Sequence, residues 1–123
     1  MNIIAIDFGT KNIGLAWVDT GIGVVLPFGR IANDLVLLTQ TIQTEKADQL
    51  VIGLPLGLDG KENDNTKHIR GFAEKLKQAT GLPVELVDER FSSQLADRTE
   101  GGVSRDEKSA MAILETYLDR LKK

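Results

Sequence analysis

The sequence predicts an α/β fold: a mixed five-stranded sheet whose first three strands run antiparallel, with helices on both faces. Three observations predict it. The chain opens with three short apolar runs separated by turn residues. It continues with helical periodicities that alternate with further short apolar runs. It closes on a long amphipathic pattern introduced by a capping signature.

Each element has its own warrant. Asn2 to Ile6 is nearly all apolar, as a strand covered on both faces should be, and it meets Asp7-Phe8-Gly9-Thr10. Ile13 to Val18 and Gly23 to Phe28 follow, with Asp19-Thr20-Gly21 as a hairpin joint. Asn33 and Asp34 read as a helix start, and Leu35, Leu38 and Ile42 keep helical spacing in the segment to Lys46. Gln49 to Gly53 is a short buried strand ended by Leu54-Pro55, and residues 57–65 read as an exposed loop. Thr66 to Thr80 is a helix with Ile69, Phe72, Ala73 and Leu76 on one face, stopped by Gly81 and Pro83. Val84 to Val87 is the fifth strand, stopped by Asp88-Glu89-Arg90. Ser92 or Ser93 caps a short helix to about Thr99, and Gly101-Gly102 breaks the chain. Ser104-Arg105-Asp106-Glu107 is a capping box for a last helix to about Leu121.

The 123 residues suit one domain, 1–123, since a chain of this size buries about two-thirds of its unfolded surface. Hydrophobic residues at 41% and charged residues at 27% exclude a disordered chain. With no cysteine there is neither a disulfide framework nor a thiolate metal site. No run approaches the roughly 20 apolar residues of a membrane span, and the N-terminal apolar run is too short for a signal peptide. A cytoplasmic protein is the expectation. The net charge of −3 and pI of about 5.1 argue mildly against gripping nucleic acid by bulk charge. A site that is itself a cluster of acids makes total charge a poor guide if the basic residues are grouped.

Three acids stand where such a site is expected. Asp7 and Asp88 each follow a buried strand, and ligands of open α/β sheets sit beyond strand carboxyl ends. On the last helix, Tyr117, Ile113 or Leu114, and Ala110 form an inward stripe whose next position is Asp106. There the helix N-terminus favours a negative charge. Taken singly, each acid has an ordinary reading: a turn residue at Asp7, a strand-end residue at Asp88, a first-turn acid at Asp106. Together they repel one another unless a cation is present. Mg2+ or Mn2+ suits carboxylates, water and phosphate oxygens, and two ions about 3.5–4 Å apart can drive phosphodiester cleavage. The expected catalytic and metal-holding residues are therefore Asp7, Asp88 and Asp106.

These segments also resemble a known family. DFGTKNIGLA at 7–16, VIGLPLGLDG at 51–60, DERFSS at 88–93 and DEKSAMAILETYLD at 106–119 are similar, in order, to the motifs of the YqgF family. That family comprises ribosomal RNA precursor nucleases and Holliday-junction-resolvase-like proteins. The resemblance spans essentially the whole chain. It implies a ribonuclease H-like fold, a triad of acids at Asp7, Asp88 and Asp106, and maturation of the 16S rRNA precursor, with the small ribosomal subunit as a partner. Glu89 is the fallback for Asp88, because successive strand residues point to opposite faces.

Lys11, Arg90, Arg105 and Lys108 flank the three acids and are the expected substrate contacts. Lys61, Lys67, Arg70 and Arg98 are further candidates, with surface solvation the plainer reading for Lys61 and Lys67. His68, the sole histidine, reads as a surface residue away from the motifs, and Trp17 and Tyr117 read as core. Two other function classes compete. Asp7-Phe8-Gly9-Thr10 also resembles the first phosphate loop of sugar kinases and actin, but those proteins clasp ATP between two lobes. A non-catalytic nucleic-acid-binding module of the same fold is the second; the presence of all three acids argues against it. Within the nuclease reading, RNA precursor is favoured over a DNA junction, and a monomer over a dimer, because junction resolution requires two sites related by a two-fold axis.

Overall fold

The computed structural model describes residues 1–9, 11–54, 64–88 and 105–121. Its first three strands, β1 (Asn2–Phe8), β2 (Asn12–Asp19) and β3 (Leu26–Ala32), form an antiparallel meander. Then come α1 (Leu35–Thr44), β4 (Gln49–Leu54), α2 (Asp64–Thr80), β5 (Val84–Asp88) and α3 (Arg105–Leu121). The sheet order is β3-β2-β1-β4-β5, with β4 parallel to both β1 and β5. This is the mixed five-stranded sheet expected from the sequence. No described helix is long and apolar enough to cross a membrane.

Alternation along the strands feeds two cores. Ile4, Ile6, Ile13, Leu15, Leu50, Ile52 and Leu54 point to one face, where Leu38 and Ile42 of α1 and Ile69, Ala73 and Leu76 of α2 cover them. Ile3, Ala5, Ala16, Val18, Val51 and Val87 point to the other, against Ala110, Ile113, Leu114 and Tyr117 of α3. Ala5 and Ala16 are cross-strand partners, both fully buried. These short side chains, with Ala110 above them, let the helix backbone approach the sheet closely. The inward stripe read from the sequence is the stripe that packs.

Three boundaries differ from expectation. The third strand runs over Leu26–Ala32 rather than Gly23 to Phe28. The hairpin turn takes up the earlier residues: Gly21 and Gly23 donate their N–H groups to Asp19, at its Oδ1 and its carbonyl, and Gly23 has φ 81°. A bulge in the β2–β3 pairing, between Leu15 and Ala16, then resets the register. That is why Phe28 and Ile31, three residues apart, both pack on the α1–α2 face. α2 begins at Asp64, so residues 64–65 of the expected loop are helical. The rest of that loop, and the short helix expected at 92–99, lie outside the described residues.

Both ends of α1 are capped. Asp34 is the N-cap, its carboxylate accepting from the N–H groups of Val36 and Leu37. At the other end Ala47 N–H donates to the Ile42 carbonyl and Lys46 N–H to that of Gln43, the two bonds of a Schellman motif. Lys46 holds the left-handed position of that motif at φ 55°, where glycine is usual. Lys46→Gly is therefore expected to raise stability by roughly 0.5–1 kcal/mol, the relief of left-handed strain exceeding the added chain entropy. Urea unfolding at constant m-value checks it.

On α3, burial and the neighbouring Asp119 hold the Glu115 carboxyl above its usual range. A raised carboxyl stabilises the fold while protonated, and that contribution is lost as pH rises through its folded value. Glu115→Gln is thus expected to raise Tm at neutral pH, with the difference shrinking to nothing in acid. Thermal melts from pH 3 to pH 8 test this; a constant difference at every pH would remove ionisation as the cause.

Candidate active site

β1, β4 and β5 run parallel, so their C-terminal ends share one edge of the sheet. Asp7 lies at that end of β1 and Asp88 is the last residue of β5. With neighbouring strands about 4.8 Å apart, β1 and β5 are separated by roughly 10 Å, spanned by β4. Asp7 has the parity of Ile3 and Ala5, which places it on the α3 face, and it is half-buried.

The strand neighbours of Asp7 on that face are glycines. Its cross-strand partner on β2 is Gly14. On β4, Val51 faces α3, so the residue of matching parity near Asp7 is Gly53, which pairs in turn with Val87. Two buried glycines thus flank the carboxylate. On the strands at either side of Asp7, glycine keeps side chains off this face. Sequence reasoning read VIGLPLGLDG only as a family-like motif; the signal for this role was a glycine inside an apolar strand, which often marks close approach by a ligand or backbone.

The loop after Asp7 is braced from outside. Gly9 N–H donates to the Asn12 carbonyl at 3.0 Å, and a Cβ on Gly9 would stand 2.5 Å from that oxygen. Only glycine fits there. The Gly9 carbonyl accepts from Asn33 Nδ2 at 2.7 Å, while Asn33 N–H donates to the Lys11 carbonyl at 3.0 Å. Asn33, read from sequence as part of a helix start, pins the loop that carries Lys11. Lys11 itself is exposed beside this loop.

The remaining expected residues divide. Asp106 is the second residue of α3, one turn before the buried Ala110 that packs with Ala5 and Val87. Its helix therefore begins one turn before it packs on the sheet. Arg105 precedes it, and Lys108 is partly exposed in the same first turn. Lys67 and Arg70 are exposed on the first turns of α2. Glu89, Arg90, Lys61 and Arg98 lie outside the described residues, as do the side chains of Asp88, Arg105 and Asp106. Among the described residues no group of three or more His, Asp or Glu side chains stands together.

His68 corrects the sequence reading. It is exposed, but it is not away from the motifs: its ring lies 5.5 Å from that of Phe8, the residue after Asp7, and Phe8 also packs on Phe72 at 4.4 Å. The helical spacing of His68 and Phe72 brings both to the end of β1.

Residues 1–120 match the family described as "RuvX: Holliday junction resolvase". The chain belongs to the RuvX family. A relative from Maridesulfovibrio salexigens that carries the name pre-16S rRNA nuclease is 39% identical, over 98% of this chain and 99% of its own length. Among solved structures, the RuvX chain resembles Thermus thermophilus RuvC in complex with a Holliday junction substrate, with TM-score 0.72 and 12% identity over 99% of this chain and 95% of that one. It also resembles the Fowlpox virus resolvase in complex with Holliday junction DNA, with TM-score 0.67 and 13% identity over the whole of both chains. At those identities the structures establish a shared resolvase-type, ribonuclease H-like fold. The expectation of a YqgF-type chain is borne out.

Proposed function

We propose that this chain is a divalent-metal-dependent nuclease that matures the 5′ end of the 16S rRNA precursor, acting as one domain over residues 1–123. The observation that carries the reading is the position of Asp7, flanked on its strands by Gly14 and Gly53, at the shared C-terminal edge of three parallel strands. The names carried by the RuvX relatives supply the substrate class.

Asp7, Asp88 and Asp106 are the proposed metal-holding set, with Mg2+ or Mn2+ as the ion. The donors are carboxylate oxygens without any thiolate, the chemistry a hard cation takes. When bound, such ions activate water and neutralise charge on the phosphate. The chain's own residues do the rest. Asp7 supplies a carboxylate at the strand ends, between two glycines. Lys11, Arg90, Arg105 and Lys108 hold flanking phosphates, each positioned by an element that also carries or follows one of the acids. The braced 9–12 loop fixes where Lys11 can reach.

The register favours a second reading for one position. Val87 packs on the α3 face that Asp7 shares, whereas Asp88 pairs with Leu54, a residue of the opposite core. Glu89, the next residue in the sequence, is therefore the alternative third acid. The functional test is cleavage of a 16S precursor transcript, unrelated single-stranded RNA and a four-way DNA junction, each with Mg2+, Mn2+ or EDTA. Preferred cutting of the precursor, abolished by EDTA, is expected. Preferred cutting of the junction would make the chain a resolvase, and metal-independent binding without cutting would make it a non-catalytic module.

A further inference from the structure

The end of the sheet remote from Asp7 holds a cavity of about 130 Å³ lined by Asn2, Ile4, Trp17, Phe28 and Glu45. It opens on the α1–α2 side, at the start of β1, and no part of the proposed nuclease site reaches it. Its volume is about that of four waters, too small for a nucleotide and suited to one side chain.

Three of its lining residues, Trp17, Phe28 and Glu45, favour a cation. Trp17 and Phe28 are only half-buried, although aromatic rings on this face could have closed the core. The β2–β3 bulge lies at Phe28, which stands between the paired residues Pro27 and Gly29, and bulges re-aim side chains. Glu45 is the C-cap of α1, where the helix presents its partial negative charge, and no basic residue occupies the last turn to offset it. Two other acids at this end are already engaged. Asp19 lies 4.0 Å from the N-terminal ammonium, and Asp48 Oδ2 accepts from Asn2 N–H at 2.7 Å. Glu45 has no such partner among the described residues. Lys46, next in sequence, is exposed and does not line the cavity. Aromatic faces attract cations, and a planar, weakly hydrated guanidinium stacks on them better than an ammonium does.

We propose that this cavity receives the guanidinium of an arginine carried on a basic segment of a partner protein, stacked against Trp17 and Phe28 and paired with Glu45. The proposal does not depend on the nuclease reading. Trp17 is the only tryptophan, so its emission reports the cavity directly. The probe is a blocked Gly-Arg-Gly peptide, titrated through the millimolar range at constant ionic strength, with the citrulline peptide as an uncharged match. A saturable emission change with the arginine peptide is expected, at least fivefold weaker with citrulline and fivefold weaker again in Glu45→Gln protein of unchanged circular dichroism. Phe28→Leu should weaken it as well, while cleavage by both variants stays at the wild-type rate. Equal response to citrulline, no saturable response, or an equal response to a short RNA that survives Glu45→Gln would overturn the proposal.

Discussion

Asp7→Asn is expected to lower metal-dependent cleavage by about a thousandfold while leaving the fold unchanged. The substitution keeps the shape of the side chain, so the half-buried position between Gly14 and Gly53 is repacked with nothing larger or smaller. It removes the formal charge and replaces a strong hard-cation donor with an amide. Metal stabilisation of phosphoryl charge is worth several kcal/mol in such reactions, which converts to roughly 10²–10³ in rate. A binding readout separates this from a folding effect. Magnesium should raise the Tm of the wild type by mass action and leave that of the variant unmoved. Cleavage within tenfold of wild type would remove Asp7 from the metal-holding set. Asp88→Asn and Glu89→Gln, assayed beside it, decide which acid of that pair belongs: the larger loss is expected from Asp88→Asn, and a larger loss from Glu89→Gln would put Glu89 in its place.

The sequence was most readable where period and burial agree. Largely apolar runs at Asn2–Ile6 and Gln49–Gly53 mark strands covered on both faces, and both cores are there in the structure. Gly81, with φ 71° and its N–H donating to the Lys77 carbonyl, ends α2 where a C′ glycine should. β3 was harder because a bulge shifts the alternation, and no residue type announces a bulge when Pro27 and Gly29 also read as turn signals. Trp17 read as core because it is large and apolar; lying half-buried over a cavity depends on what β3 and α1 leave open, a tertiary fact. The strand-end position of Asp7 was legible. The glycines beside it were not, because Gly14 and Gly53 are 39 residues apart in the chain and become neighbours of Asp7 only through pairing. His68 was misplaced for the same reason: nothing local ties α2 to Phe8.

Leu114→Ala should cost about 2–5 kcal/mol of stability and should also reduce cleavage in protein that remains folded. Leu114 is fully buried between α3 and the strands, in a cluster where Ala5, Ala16 and Ala110 already draw helix and sheet into close contact. With such short side chains beneath it, the helix depends on Leu114, Ile113 and Tyr117 for most of the apolar volume that fixes its position. Removing three carbons' worth of packing leaves a cavity or lets α3 settle into a new position, and α3 is the helix that carries Asp106 and Lys108. Leu38→Ala is the control. Leu38 is equally buried, but it fixes α1 on the opposite face, and α1 carries none of the three acids. Both variants should lose similar stability in urea. At a urea-free temperature well below both transitions, only Leu114→Ala should lose cleavage, by about tenfold, the effect of shifting a catalytic group by a fraction of an ångström. Equal activity in the two variants would mean that α3 holds its place without Leu114, or that the acid it carries takes no part in the reaction.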